Sequence, residues 1–293
     1  MVKKKLFTSL KYVYLGLLLV FLYLPILYLM VFSFNDFSTG RRVSYANLGV
    51  WKGFTLSNYT NIFGGEAGEA LLLTLEIGVL SAVLATVIGT AAAIGIHAMR
   101  KRSRNLILNV SQLPMVNPDL VTGITFMMLF TFVNALLVRL GVHRVSDFVK
   151  LLIAHISFSI PYVIFSVMPR LRQSSDLLYE AAMDLGCSPM RALWKAVIPD
   201  ILPGITSGFT MALTMSLDDF VVSYFVADLE STLSVYIYSA ARGAKGVNPA
   251  LATVIFVPLV TMLLVVNLRR IRKEREDEIQ NKKVKLRNGG RRA

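Results

Sequence analysis

Three carboxylates stand inside stretches that are otherwise apolar: Asp119, Asp218 and Asp219. An acid within a membrane span costs about 2.5–3.5 kcal/mol by insertion scales, so it belongs on a protein-lined or water-filled face. Asp119 lies about 13 residues into its run, roughly 20 Å at helical rise; Asp218 and Asp219 lie about 15 residues beyond Gly204, roughly 22 Å. Carboxylates at one level make a cation site, with Ser216 as a neutral partner. Neighbours on a helix differ by about 100°, so Asp218 and Asp219 need not both face it. Two other roles stay open. Asp119, following Pro118, is also placed to cap a resuming half-helix, and one of the Asp218/Asp219 pair is placed to bond nearby backbone or a serine. Glu76, near the same level, reads better as the partner of an interfacial arginine. Tyr224, Phe225, Tyr236 and Tyr238 either line a path for an alkyl-ammonium chain or anchor the chain at the membrane surface.

The elements that must carry these residues follow from composition. Hydrophobic residues make up 55% of the 293 and charged ones 17%, against about 25% charged in a soluble domain; mean hydropathy is +0.59. The expected fold class is an all-α membrane protein with six spans, at about 11–34, 70–99, 105–138, 148–170, 203–227 and 250–268. The first, preceded by Lys3, Lys4, Lys5 and Lys11, exceeds the roughly 7–15 residues of a signal core and reads as a retained span. The third is too long for one straight helix. Pro114, Asn117, Pro118, Asp119 and Gly123 predict a kink or break there, and Pro161 predicts a kink in the fourth.

Basic residues number 31 and acidic ones 18. The excess gathers at the ends of apolar runs, which points to membrane topology rather than nucleic acid. With the N-terminus in the cytoplasm, all but eight of the 31 lie on the cytoplasmic side, so both termini are expected inside. The domains are then a cytoplasmic N-terminus over 1–10, a transmembrane domain over 11–268 and a basic tail over 269–293. The longest outer loop, about 35–69, holds Arg41, Arg42, Lys52, Trp51, Phe54, Tyr59 and Phe63; its aromatics suit the membrane interface or a docking partner. Cys187 is the single cysteine, which leaves no internal disulfide. His97, His143 and His155 lack metal-ligand spacing, and neither a Walker A pattern, a nucleophile elbow nor H-E-x-x-H occurs.

Between the fourth and fifth spans lies Glu180-Ala181-Ala182-Met183-Asp184-Leu185-Gly186, followed by Cys187 to Asp200. Ser175 is placed to cap a short helix that stops at Gly186. Leu177, Leu178, Ala181, Ala182 and Leu185 share one face of it. Ser188 caps a second helix, with Pro189 at its first position. Met190, Leu193, Trp194 and Val197 form its apolar face, and Pro199 ends it. Neither helix can bury that face alone. An interfacial hairpin on lipid and a docking surface for another protein both fit.

This segment, about 171–202, resembles the EAA loop of ABC-importer permeases: EAA, three residues, Gly, nine residues, then a hydrophobic-x-Leu-Pro ending. Here Ala196-Val197-Ile198-Pro199 is a conservative departure from that ending. Leu24-Pro25-Ile26, Phe32-Ser33-Phe34-Asn35, Gly53-Phe54-Thr55, Pro118-Asp119, Ser216-Leu217-Asp218-Asp219-Phe220 and Ala250-Leu251-Ala252-Thr253 extend the likeness to nearly the whole chain. They are similar to the polyamine (spermidine/putrescine) group of these permeases. The resemblance implies a type I importer permease fold in the bacterial cell membrane. It also implies a subunit that hydrolyses no ATP and holds no cofactor, ATP and magnesium belonging to a separate ATPase dimer. Glu180, Ala181, Ala182, Gly186 and Pro199 would couple to that ATPase. A second permease subunit would complete the pathway, and an extracellular binding protein would deliver substrate. Permeases for opines, thiamine or iron share the layout and remain alternatives, as does a secondary transporter.

Overall fold

A spanning segment in lipid must satisfy its backbone from within, and the described residues are helical apart from short connections and one isolated bridge, Asn35 with Phe54. The computed structural model describes residues 2–36, 50–60, 62, 65–117, 119–173, 176–242, 250–251, 253–254, 256–257 and 260–261. Five helices among them are long and apolar enough to cross a membrane: Lys11–Phe32, Glu66–His97, Asp119–Arg139, Asp147–Gln173 and Pro189–Asp218. The expected sixth span, 250–268, lies largely outside the described residues, as do Arg41, Arg42, Phe63, Pro118, Ser175 and the basic tail.

One unit holds α1 (Val2–Phe32), the residues that follow it and α2 (Ser57–Thr60). Its polar knot is the fully buried Asn35. The Asn35 amide donates to Val50 O at 2.8 Å, and its oxygen accepts from Lys52 N at 2.7 Å. Asn58 donates to Ser33 O and Asn35 O at 2.8 and 2.9 Å. Phe34 stacks on Phe54 with ring centroids 5.5 Å apart, while Trp51 and Phe54 stay exposed. These bonds fold the chain leaving α1 back on itself.

The other unit runs from α3 (Glu66–His97) through α4 (Lys101–Val116), α5 (Asp119–Arg139) and α6 (Asp147–Gln173). Then come α7 (Asp176–Asp184), α8 (Pro189–Ala192), a π-helical turn (Leu193–Val197), α9 (Ile198–Asp218), α10 (Val221–Val226) and α11 (Leu233–Ala241). Helices α3, α6 and α9 pack on one another. Small residues make this possible, because lipid gives no hydrophobic drive and close backbone approach has to supply the contact. Along α3, Ser81, Ala82, Ala85, Gly89 and Ala93 are buried. A Cβ at Gly89 would stand 2.7 Å from Val163 Cβ, so only glycine admits α6 at this depth. Val163, Val167, Ile201 and Ala212 complete the core. A second cluster joins Ile77, Phe130, Leu151, Ala154, Val222 and Val226.

The stretch expected as a third span is two helices. α4 ends at Val116, Asn117 is extended at ψ 135°, and α5 begins at Asp119. Pro114 lies within α4 and the interruption follows it. The fifth is interrupted too: α9 ends at Asp218, Asp219 is extended at ψ 128°, and α10 begins at Val221. The expected end of the coupling helix at Pro199 is corrected. Pro199 sits in the first turn of α9, and the chain stays helical through it. Ile198 N–H reaches back to Leu193 O across the π turn. That wider spacing accommodates the proline's missing donor, which an ordinary helix would leave as a gap.

An ion triad fixes the N-terminal end of α6. Lys150, 3% exposed, places Nζ 2.6 Å from both Asp147 Oδ1 and Asp228 Oδ2. Asp147 Oδ2 also accepts from the backbone N–H groups of Asp228, Leu229 and Glu230 at 3.1, 2.7 and 3.3 Å. Lys150→Met removes the cation and leaves a nearly buried carboxylate facing a second one. The expected result is a fall of about 5 °C in the thermal midpoint of the purified protein in detergent. An unchanged midpoint would mean that the triad is ornamental.

Candidate functional site

The two interruptions meet. Asp119 opens α5, Asp218 closes α9 and Asp219 lies in the break that follows, and all three line one cavity of about 100 Å³. Phe158 and Tyr162 of α6 wall it, with Thr122 and Met215. The helix ends explain why acids suit the place. Free N–H groups at the start of α5 and α10 favour negative charge. Asp219 uses this directly: its carboxylate accepts from Val222 N at 3.2 Å, Ser223 N at 2.8 Å and Ser223 Oγ at 2.7 Å. Asp219 is therefore the member of the pair that bonds backbone and serine. Asp218 and Asp119 are exposed and keep lone pairs for a ligand.

The cavity has room for an ammonium group and a water or two, water taking about 30 Å³ of liquid volume. Beside it runs a groove of about 570 Å³, sharing Pro114, Thr122 and Phe158 with it and lined further by Leu113, Val116 and Phe126. An anionic cup opening onto an apolar groove can hold a molecule that carries charge and methylenes in alternation.

Ser216 lies behind this wall rather than on it. It is 2% exposed, with Oγ 3.0 Å from Ser81 Oγ and 2.6 Å from His155 Nδ1. His155 Nε2 lies 3.1 Å from Ser223 Oγ and 3.6 Å from Asp219 Oδ2. Sequence reading weighed His155 only as a metal ligand and passed over Ser81 and Ser223. The available signals were a histidine within an apolar run, costly unless employed, and Ser216, Asp219 and Ser223 falling at helical spacing.

Of the aromatics, Tyr224 and Tyr238 cluster with Phe220, at centroid distances of 5.6 Å between the tyrosines and 4.8 Å from Phe220 to Tyr238. Phe225 meets Tyr224 edge-on, Arg242 lies 4.8 Å over the Tyr238 ring, and Tyr236 is buried. None of the four lines the acid cavity. The expected arginine partner of Glu76 is not found among the salt bridges of the described residues.

At the other end of α9, α7 closes in a tight reversal. Gly186 N–H bonds Met183 O at 2.9 Å and Cys187 N–H bonds Ala182 O at 3.1 Å, with Gly186 at φ +84°. This is a Schellman ending, whose left-handed residue is normally glycine. Ser188 precedes α8 but makes no side-chain cap, which corrects the capping expected of it; Pro189 does start the helix. Glu180 and Tyr179 line a cavity of about 730 Å³ with Arg104, His97, Met190 and Leu193. Glu180, Ala181, Gly186 and Pro199 are exposed and Ala182 is half-buried. Leu185 is 86% exposed, and Met190 and Trp194 are each 64% exposed, so the apolar faces of this hairpin are uncovered.

Residues 85–273 match the family described as binding-protein-dependent transport system inner membrane component. The chain is 31% identical over 253 residues to the spermidine/putrescine transport system permease protein PotC of Haemophilus influenzae, covering 85% of this chain and 91% of the relative. It is 32% identical to PotC of Escherichia coli K12, covering 85% and 89%. It is 33% identical to the putrescine transport system permease protein PotI of the same strain, covering 89% and 91%. In fold it is similar to a chain of a crystallised bacterial ABC transporter involved in the import of the acidic polysaccharide alginate, with TM-score 0.64, 16% identity and 90% and 96% coverage.

Proposed function

The chain belongs to the family of binding-protein-dependent transport system inner membrane components, and from that membership we propose that it is the permease subunit of an ABC importer moving polyamines into the cytoplasm. The meeting of Asp119, Asp218 and Asp219 at one cavity beside an apolar groove carries this reading. A polyamine alternates ammonium groups with short methylene chains. One ammonium sits in the acid cup against Asp218 and Asp119, flanked by Phe158 and Tyr162. The methylenes lie along the groove toward Leu113 and Phe126. Other organic cations of that pattern satisfy the same geometry.

The driving force comes from elsewhere. ATP and magnesium belong to a separate ATPase dimer; this chain holds no cofactor. The exposed hairpin of α7 and α8, with Glu180, Ala181, Ala182, Gly186 and Pro199, is the grip for that dimer on the cytoplasmic side of the cell membrane, where both termini also lie. ATP binding moves the hairpin, and α9 carries the motion to the cavity. A second permease subunit supplies the facing half of the pathway. A binding protein delivers substrate from outside the cell membrane.

The test is reconstitution of this chain with its ATPase, partner permease and binding protein in liposomes. The expected result is putrescine or spermidine uptake that requires ATP and all four components. Uptake by this chain alone without ATP would instead identify a secondary transporter. ATP-driven uptake of thiamine, an opine or iron, with polyamines ignored, would move the substrate to another class.

A further inference from the structure

The donors around His155 can be counted. Ser223 Oγ has one proton and gives it to Asp219 Oδ2 at 2.7 Å. Ser223 must then accept from His155 Nε2, which makes Nε2 the protonated nitrogen of a neutral ring. Nδ1 is left as an acceptor and takes the proton of Ser216 Oγ at 2.6 Å. Every hydrogen bond in the chain Ser216, His155, Ser223 thus points toward Asp219, and His155 Nε2 itself approaches that carboxylate at 3.6 Å. The chain is also a brace. Ser216 belongs to α9 and Ser223 to α10, so the one imidazole holds both sides of the break at 219–220. His155 is 1% exposed, and its ring lies 5.0 Å from Phe158, which walls both the acid cavity and the groove.

We infer that His155 is a positioning residue for the acid cavity: it sets the angle of the break between α9 and α10 and so aims Asp218 at the space facing Asp119. This rests on the proposed role of the cavity as a cation site. The imidazole touches no substrate. It acts through Asp219, anchored on the α10 N-terminus, and through the end of α9.

Substitution separates the two nitrogens. Gln at 155 reaches with a polar atom to the place of Nε2, Asn reaches only that of Nδ1, and Leu fills the space without either. With the full complex in proteoliposomes and putrescine as the probe, His155→Leu is expected to raise the half-saturating concentration about tenfold, with maximal rate little changed. His155→Gln, which keeps only the Ser223 side of the brace, and His155→Asn, which keeps only the Ser216 side, are each expected to fall between wild type and His155→Leu. A second readout does not depend on the substrate. In a Cys187→Ser background carrying Asp218→Cys, His155→Leu is expected to change the rate of modification by a cationic methanethiosulfonate severalfold. Equal behaviour of Gln, Asn and Leu, or an unchanged labelling rate in the Leu variant, overturns the inference. If the wild-type complex moves no putrescine, the proposed substrate fails and the labelling comparison alone decides on His155. If His155→Leu does not assemble, Ser223→Ala takes its place. It is expected to change labelling in the same way, and no change overturns the inference.

Discussion

Gly186→Val is expected to reduce ATP-driven uptake by the reconstituted complex about a hundredfold, while the purified subunit keeps its helical content. The cause is backbone geometry, not crowding. Gly186 sits at φ +84°, and a Cβ placed there meets nothing within 4 Å. The left-handed region costs an ordinary residue roughly 1–2 kcal/mol and a β-branched one more. The Schellman bonds of Gly186 and Cys187 back to Met183 and Ala182 set the angle between α7 and α8. Losing them would displace Leu185 and Trp194, exposed apolar residues of the hairpin proposed as the ATPase grip. The order of substitution is diagnostic. Asparagine tolerates the left-handed region, so Gly186→Asn should retain most uptake, Gly186→Ala should be intermediate and Gly186→Val lowest. Co-purification with the ATPase should fall in the same order. Equal activity across the series would remove the hairpin from the coupling path.

Asp218→Asn and Asp119→Asn are each expected to raise the half-saturating polyamine concentration by tenfold or more. A charge-assisted hydrogen bond is worth about 1.5–3 kcal/mol, and neutralising one carboxylate also weakens the field that the cation meets. The double variant should lose measurable uptake. Asp219→Asn should differ in kind. Its carboxylate already accepts from Val222 N, Ser223 N and Ser223 Oγ, and the amide forfeits an acceptor there. The expected signature is a lower thermal midpoint as well as weaker uptake, whereas Asp218→Asn leaves the midpoint in place. Concentration-dependent uptake beside thermal unfolding makes the comparison. Undiminished uptake in both Asp218→Asn and Asp119→Asn would dissolve the cation site.

What the sequence made legible were features with local causes. Apolar runs long enough to span declare themselves, as does a proline-rich interruption near Asp119. The Gly186 reversal between two short helices carries its chemistry in seven residues. Asp218 and Asp219 stood out as acids in apolar surroundings, and the sequence anticipated that one would bond backbone and serine without telling which. What stayed hidden depends on residues far apart in the chain. His155 meets Ser216 and Ser223 across 61 and 68 positions, and no spacing rule reaches so far. Ser216, placed by sequence beside the acids, turns inward because α9 presents it to Ser81 and His155 instead. Pro199 was read as a terminator because a proline's cost assumes regular α-helical bonding; the π turn before it suspends that assumption.

That π turn has a consequence for the whole lever. From Pro189 to Asp218 the chain is helical without interruption, about 45 Å at standard rise. The wide turn at Leu193–Val197 packs one residue more than an ordinary turn would hold. Excising that residue would leave the axis standing yet rotate everything above it by roughly 100°, carrying Asp218 away from Asp119 while Trp194 stayed put. The bulge is a clocking device: it decides which compass bearing the far end of the helix presents relative to the near one.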